Sequence, residues 1–323
     1  MKKSILWGAG LILMAGLLGV FRNFSDAKSE VQNEIAAVPV QVSELRKHVQ
    51  RLTSTDKSRD FTHPEVLNEI ASYIYKTWEA DGLRPQFQEF VAGGKTYKNV
   101  LVSLGPEKAS RIVIGAHYDV AGEQAGADDN ASGVAGILEL ARLLTSRAPL
   151  LKHRIDLVAY CLEEPPFFAT SDMGSAVHAR SLRDAGVKVR LMMSLEMIGY
   201  FTEKEGSQSY PLSVLKYIYP SKGNFIAVVG QLTAVGLVQK VRKLMAANSK
   251  VDVQFINAPR SLVGVDFSDH RNYWEQGYPA VMVTDTAFLR NPNYHSKSDT
   301  IETLSFPQMA EVVEGVYAVA VGF

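Results

Sequence analysis

Five short segments carry the side-chain types that bind divalent metals. In chain order they are His117-Tyr118-Asp119, Asp128-Asp129-Asn130, Glu163-Glu164, Glu196-Met197-Ile198-Gly199 and Tyr294-His295. Imidazole and carboxylate are the donors that zinc and its borderline neighbours accept. The single cysteine, Cys161, rules out both a multi-cysteine zinc site and an intrachain disulfide. It lies in the mostly apolar run 155–162 and reads as a small buried hydrophobe.

The spacing suggests how such a centre works. In His117-x-Asp119, alternate residues of an extended segment point the same way, so Asp119 accepts from one imidazole nitrogen while the other binds metal. Asp128 and Asp129 precede a helical run among small residues that allow close approach of a cation; capping of that helix is the plainer alternative. Asn130-Ala131-Ser132 also matches a glycosylation sequon, which the surrounding motif argues against. Two carboxylates at a buried strand end repel unless a cation neutralises them. In Glu163-Glu164, one therefore serves as ligand and the other takes a proton from the water that the metal acidifies. Tyr294, beside His295 in a loop of turn formers, is placed to donate a hydrogen bond to a developing oxyanion.

Elements of the right kind surround these residues. Apolar, β-rich runs fall at residues 100–104, 112–116, 154–161, 189–195, 225–229 and 280–283. Helical periods fall at 42–52, 63–83, 133–145, 173–184, 233–248 and 307–321. This alternation predicts a three-layer α/β architecture, a mostly parallel central sheet with helices on both faces. Sites in such sheets form beyond the carboxyl ends of the strands. His117, Glu163 and Glu196 each follow an apolar strand at that end.

With these residues together, the chain from about His63 onward resembles the di-zinc exopeptidases of metallopeptidase family 28. The shared pattern is His-x-Asp, Asp-Asn-x-Ser-Gly, Glu-Glu, Asp or Glu before Met-Ile-Gly, and Tyr-His-x-x-x-Asp, here ending at Asp299. The resemblance implies a single catalytic α/β domain of mixed strand direction, in which Asp129 bridges two ions, zinc in kind, with Asp128 as a neighbour. His117 and Glu196 then complete one ion's ligands, and Glu164 and His295 the other's. Glu163 matches the general base and Asp119 the support of His117. The implied activity is aminopeptidase; carboxypeptidase and glutaminyl cyclase are the enzyme alternatives, and a non-catalytic binding ectodomain the other. A carboxypeptidase needs a cation for the substrate carboxylate, for which Arg260, Arg271 and Arg290 are available. Glu196 stands where the family commonly has Asp. A longer loop, Pro165-Pro166-Phe167-Phe168, follows Glu164, its phenylalanines either walling the pocket or packing inward. Ser268-Asp269-His270 reads as structural support.

Bulk composition narrows the partners. Of 323 residues, 46% are hydrophobic and 21% charged, and Lys plus Arg equals Asp plus Glu at 34 each. Peptide or a small amide is the expected substrate, and nothing points to nucleic acid. Residues 5–21 form an apolar run between Lys2-Lys3 and Arg22. That predicts a signal peptide or membrane anchor over residues 1–22, a polar linker at 23–38 and a catalytic domain at 39–323 outside the cytoplasm, secreted or tethered to the inner membrane.

Overall fold

The computed structural model describes residues 38–323, so the expected anchor and most of the linker lie outside the described residues. Among the described residues, no helix is long and apolar enough to cross a membrane. Val40–Phe323 form one compact unit. It opens with α1 (Val42–Thr53) and α2 (Pro64–Ala80), both amphipathic. Helix α1 buries Leu45, Val49 and Leu52; α2 starts on Pro64, whose missing N–H costs nothing at a first helical position, and buries Ile70, Ile74 and Trp78.

Next come β1 (Gln86–Ala92), β2 (Lys95–Leu104), β3 (Arg111–His117), α3 (Gly133–Arg147), β4 (Arg154–Tyr160), α4 (Gly174–Asp184) and β5 (Val189–Glu196). The chain ends with β6 (Phe225–Gln231), α5 (Val235–Ala247), β7 (Asp252–Ala258), the short α6 (His270–Glu275), β8 (Ala280–Thr284) and α7 (Phe306–Gly322). The strands form one sheet in the order β1-β2-β4-β3-β5-β8-β6-β7. Its centre, β4-β3-β5-β8, is parallel; β2 and β6 border it antiparallel, and β7 runs parallel to β6. The sheet is thus mixed, as the family resemblance implied, around the parallel centre that the alternation predicted. Strands β3, β4, β5 and β8 are covered on both faces, as their unbroken apolar runs require.

Two strands escaped the pattern. β1 and β7 are the edges, half-covered, and neither carries the unbroken apolar run of the central strands. In the parallel centre, His117 pairs with Tyr160 and Glu196 with Thr284, so four strand ends open on one rim.

Three buried histidines shape the acid response of this fold. Burial pushes His48 down to about 4 and His178 and His270 to about 3. The unfolded chain protonates them near 6.5, so the stability from keeping them neutral is complete above that pH. It is lost progressively as pH falls from about 6.5 towards the folded-state values. Replacing His178, which is buried against the Tyr273 hydroxyl, by Gln should flatten the pH slope of unfolding free energy by about 1.4 kcal/mol per pH unit below 6.5. Urea titrations of the metal-free protein between pH 7 and 5 measure this; an unaltered slope refutes it.

Candidate metal centre

The rim of the parallel strands collects the motif residues. His117 ends β3, fully buried. Glu163 and Glu164 follow β4 after Leu162, and Glu196 ends β5 before Met197. Leu162, Met197 and His295 all hold positive φ, 63°, 50° and 51°. A left-handed backbone is unfavourable for such residues, so three site segments share a conformation that only surrounding structure maintains.

Two groups of ligand atoms result, joined by one carboxylate. His117 Nε2 lies 3.4 Å from Asp129 Oδ1 and 3.5 Å from Glu196 Oε2. His295 Nε2 lies 3.1 Å from Asp129 Oδ2 and 3.3 Å from Glu164 Oε1. Glu163 Oε2 stands back, 3.9 Å from His117 Nε2. Among the described residues, His117, Asp129 and Glu164 form the group whose donor atoms all lie within 4.8 Å of one another. Tetrahedral ligands at 2.0–2.2 Å from zinc sit roughly 3.3–3.6 Å apart, the range that most of these separations occupy. His117 Nε2, Asp129 Oδ2 and Glu164 Oε1 are buried and have no hydrogen-bond partner. A polar atom seldom stays so unless something else binds it.

The electrostatics agree. Burial pushes Glu163 well above the usual carboxylate range, with His117 opposing and Glu164 and Glu196 adding to it. Burial likewise lifts Glu164 to about 7, Asp129 contributing. Burial disfavours charge on His295, but Asp129 and Glu164 outweigh it and hold its imidazole at about 10. Burial and four nearby carboxylates, Asp129 first, raise the Tyr294 phenol. A bound cation inverts this logic by favouring carboxylate and neutral imidazole.

Neighbouring residues fix the frame. The Asp119 carboxylate accepts the backbone N–H of both Glu163 (3.1 Å) and Glu164 (3.0 Å). His117 Nδ1 meets the Asp119 carbonyl oxygen at 3.1 Å and its Oδ1 at 3.5 Å. Asp119 thus ties β3 to the end of β4 as well as facing His117. Ser268 donates to Glu196 Oε2 at 2.7 Å. Asn130 donates to the Leu195 carbonyl and accepts from Met197 and Gly133. Fully buried and bonded at both ends of its amide, it has no room for a glycan. Asp128 caps nothing in α3; it accepts from Gly199 and from Asn291.

Sequence reasoning gave Asp299 no role beyond its place in the shared pattern and missed Asp285. Asp299 accepts the amides of Asp128 and Asp129 through its two carboxylate oxygens. Asp285 holds Tyr200 and Ala287. It follows the apolar strand β8, so the strand-end rule that found Glu163 and Glu196 would have found it too.

An apolar recess adjoins the cluster, with Glu196 and Tyr294 among the residues that line it. Phe225, Val229, Ile256 and Met282 of the sheet form its floor, and Phe267 and Phe288 its rim. Phe167 packs on Phe61 and Tyr97 instead, and Phe168 meets Phe267 edge to face. No Arg or Lys is among the described residues that line it. Arg290 is buried and donates to Gln208 and the Phe225 carbonyl; Arg260 pairs with Glu275 and Arg271 lies over Phe168.

Known proteins resemble this chain in sequence and in fold. Protein YfbL of Escherichia coli K12 is 44% identical over 294 residues, covering 88% of this chain and 90% of that protein. A probable leucine aminopeptidase of Trichophyton verrucosum is 25% identical, covering 81% of this chain and 66% of the relative. The LapA aminopeptidase of Legionella pneumophila shares the fold at TM-score 0.73 and 21% identity, over 94% of this chain and 78% of LapA. The model of Peptidase family M28 matches residues 99–320. The chain belongs to peptidase family M28, whose members are hydrolases acting on peptides.

Proposed function

We propose that this chain is an aminopeptidase that removes N-terminal residues with apolar side chains, working with two divalent ions, zinc by preference, outside the cytoplasm. The observation that carries the reading is the pair of ligand groups sharing Asp129, with ligand-sized separations and three orphaned atoms. His117, Asp129 and Glu196 would hold one ion; Asp129, Glu164 and His295 the other. Bound ions supply Lewis-acid polarisation of the scissile carbonyl and acidify water.

The chain's own groups do the rest. Glu163 bonds to neither imidazole and remains free to accept a proton from the attacking water at its carboxylate, then to return it to the leaving amine. Tyr294 stacks on His295 with ring centroids 3.8 Å apart, which holds its hydroxyl beside the cluster to donate to the developing oxyanion. The recess takes the apolar side chain, its aliphatic and aromatic walls rewarding buried area. A free carboxylate would find no cation there, which disfavours the carboxypeptidase alternative.

A panel of peptides tests this. Zinc-loaded protein is expected to release N-terminal Leu or Phe in preference to Lys, and to leave acetyl-blocked peptides intact. Release of a C-terminal residue, or loss of ammonia from a peptide beginning with Gln in place of cleavage, refutes it.

A further inference from the structure

Arg59 lies in the polar stretch between α1 and α2, outside residues 99–320 that carry the family pattern. Yet it is only 1% exposed. Its guanidinium donates to four carbonyl oxygens at 2.5–3.0 Å: Nε to Tyr118, Nη1 to Leu52 and Ala125, and Nη2 to Gly126. Its own carbonyl accepts from Val120 N–H at 3.1 Å. One side chain therefore fastens the stretch just after His117, the turn just before Asp128-Asp129 and the end of α1.

Two further observations point the clamp at the site. The charges that Arg59 faces belong to Asp299, Asp119 and Asp129: one holds the amides of the Asp128-Asp129 pair, one holds those of Glu163 and Glu164, and one is shared by both ligand groups. Gly126, its fourth acceptor, sits at φ 60°, where a Cβ would come within 2.4 Å of the Asp129 carbonyl oxygen and 3.1 Å of Arg59 Nη2. The turn is packed that tightly between guanidinium and Asp129. A buried cation bonded only to carbonyls is costly to desolvate unless nearby negative charge offsets it. An ammonium could not span four acceptors with a planar fork.

From this we propose that Arg59 is a positioning residue of the metal centre, setting the separation of His117 and Asp129 and offsetting the carboxylates that frame them. The proposal rests on the metal-centre reading above. Its test uses the full chain as wild type, Arg59→Lys, Arg59→Met and, as a control in the core between α5 and its neighbours, Val241→Ala. Zinc affinity is measured by chelator competition well below each Tm, and the visible spectrum is recorded after cobalt loading.

Arg59→Lys should weaken zinc at least tenfold and shift the cobalt spectrum, with Arg59→Met at least as affected, while Val241→Ala loses thermal stability but keeps both properties. If Arg59→Met does not fold, Arg59→Lys decides alone. Wild-type affinity and spectrum in Arg59→Lys, or an equal loss of affinity in Val241→Ala, overturns the proposal. Wild type that binds neither metal overturns the metal-centre reading instead, so the two failures are distinguishable.

Discussion

Glu163→Gln should retain its metal and lose about a thousandfold in kcat, the scale of a lost general base. The substitution keeps shape and length, and it removes only the ability to hold a proton at the carboxylate. Glu163 lies 3.9 Å from His117 Nε2, outside the 3.1–3.5 Å contacts that link the other acids to the imidazoles. Its backbone amide, fixed by Asp119, is untouched by the change. Metal content by elemental analysis should therefore match wild type, while kcat on a leucyl substrate falls and KM stays within a few-fold. Near-native kcat would remove Glu163 from its assigned role. Loss of metal would instead make it a ligand.

Asp129→Asn should have the second large effect, abolishing tight binding of both ions. Asp129 offers one oxygen to each imidazole group, so neutralising it weakens two sites with one change. His117→Ala should cost one ion and His295→Ala the other, giving a pattern of two, one, one and none across wild type and variants. Stability supplies an independent readout. Ions held at a thousand times their Kd stabilise a fold by about 4 kcal/mol, so zinc should raise the Tm of wild type and leave that of Asp129→Asn nearly unmoved. Without metal the variant should be less stable than wild type, because it loses the negative charge that faces His117 and His295, which outweigh burial and hold the Asp129 carboxyl below the usual carboxylate range. Two ions retained in Asp129→Asn would contradict the shared-ligand arrangement.

Much of the site was legible because its residues interrupt apolar strands. His117 and Glu196 end β3 and β5, and Glu163 follows β4, so acid or imidazole after an unbroken hydrophobic run stood out. The central strands were legible for the same reason. The edges β1 and β7 were not, because Gln86–Ala92 and Asp252–Ala258 mix polar with apolar residues wherever one side meets solvent. Arg59 was invisible for a different cause. Ser-Arg-Asp within a polar connection looks solvated, and only the return of residues 118–126 over it turns a surface-like arginine into a buried clamp. The fate of Phe167 was equally hidden: its partners Phe61 and Tyr97 lie far away in sequence, and chain order says nothing about which aromatic faces will meet. Asp119 was read as facing His117, but its bonds to two amides of the next strand's exit depend on β3 and β4 being neighbours in register.

The sheet that floors the recess has a further consequence. Hydrogen-bonded strands leave no gap through which a polypeptide could pass, so whatever enters at the rim of Phe267 and Phe288 must stop against Val229 and Met282. On the reading proposed above, where the recess takes one side chain, that floor caps how far the side chain can reach. Residues too long to end at Val229 and Met282 are turned away by backbone that cannot part, so length is sorted along with polarity.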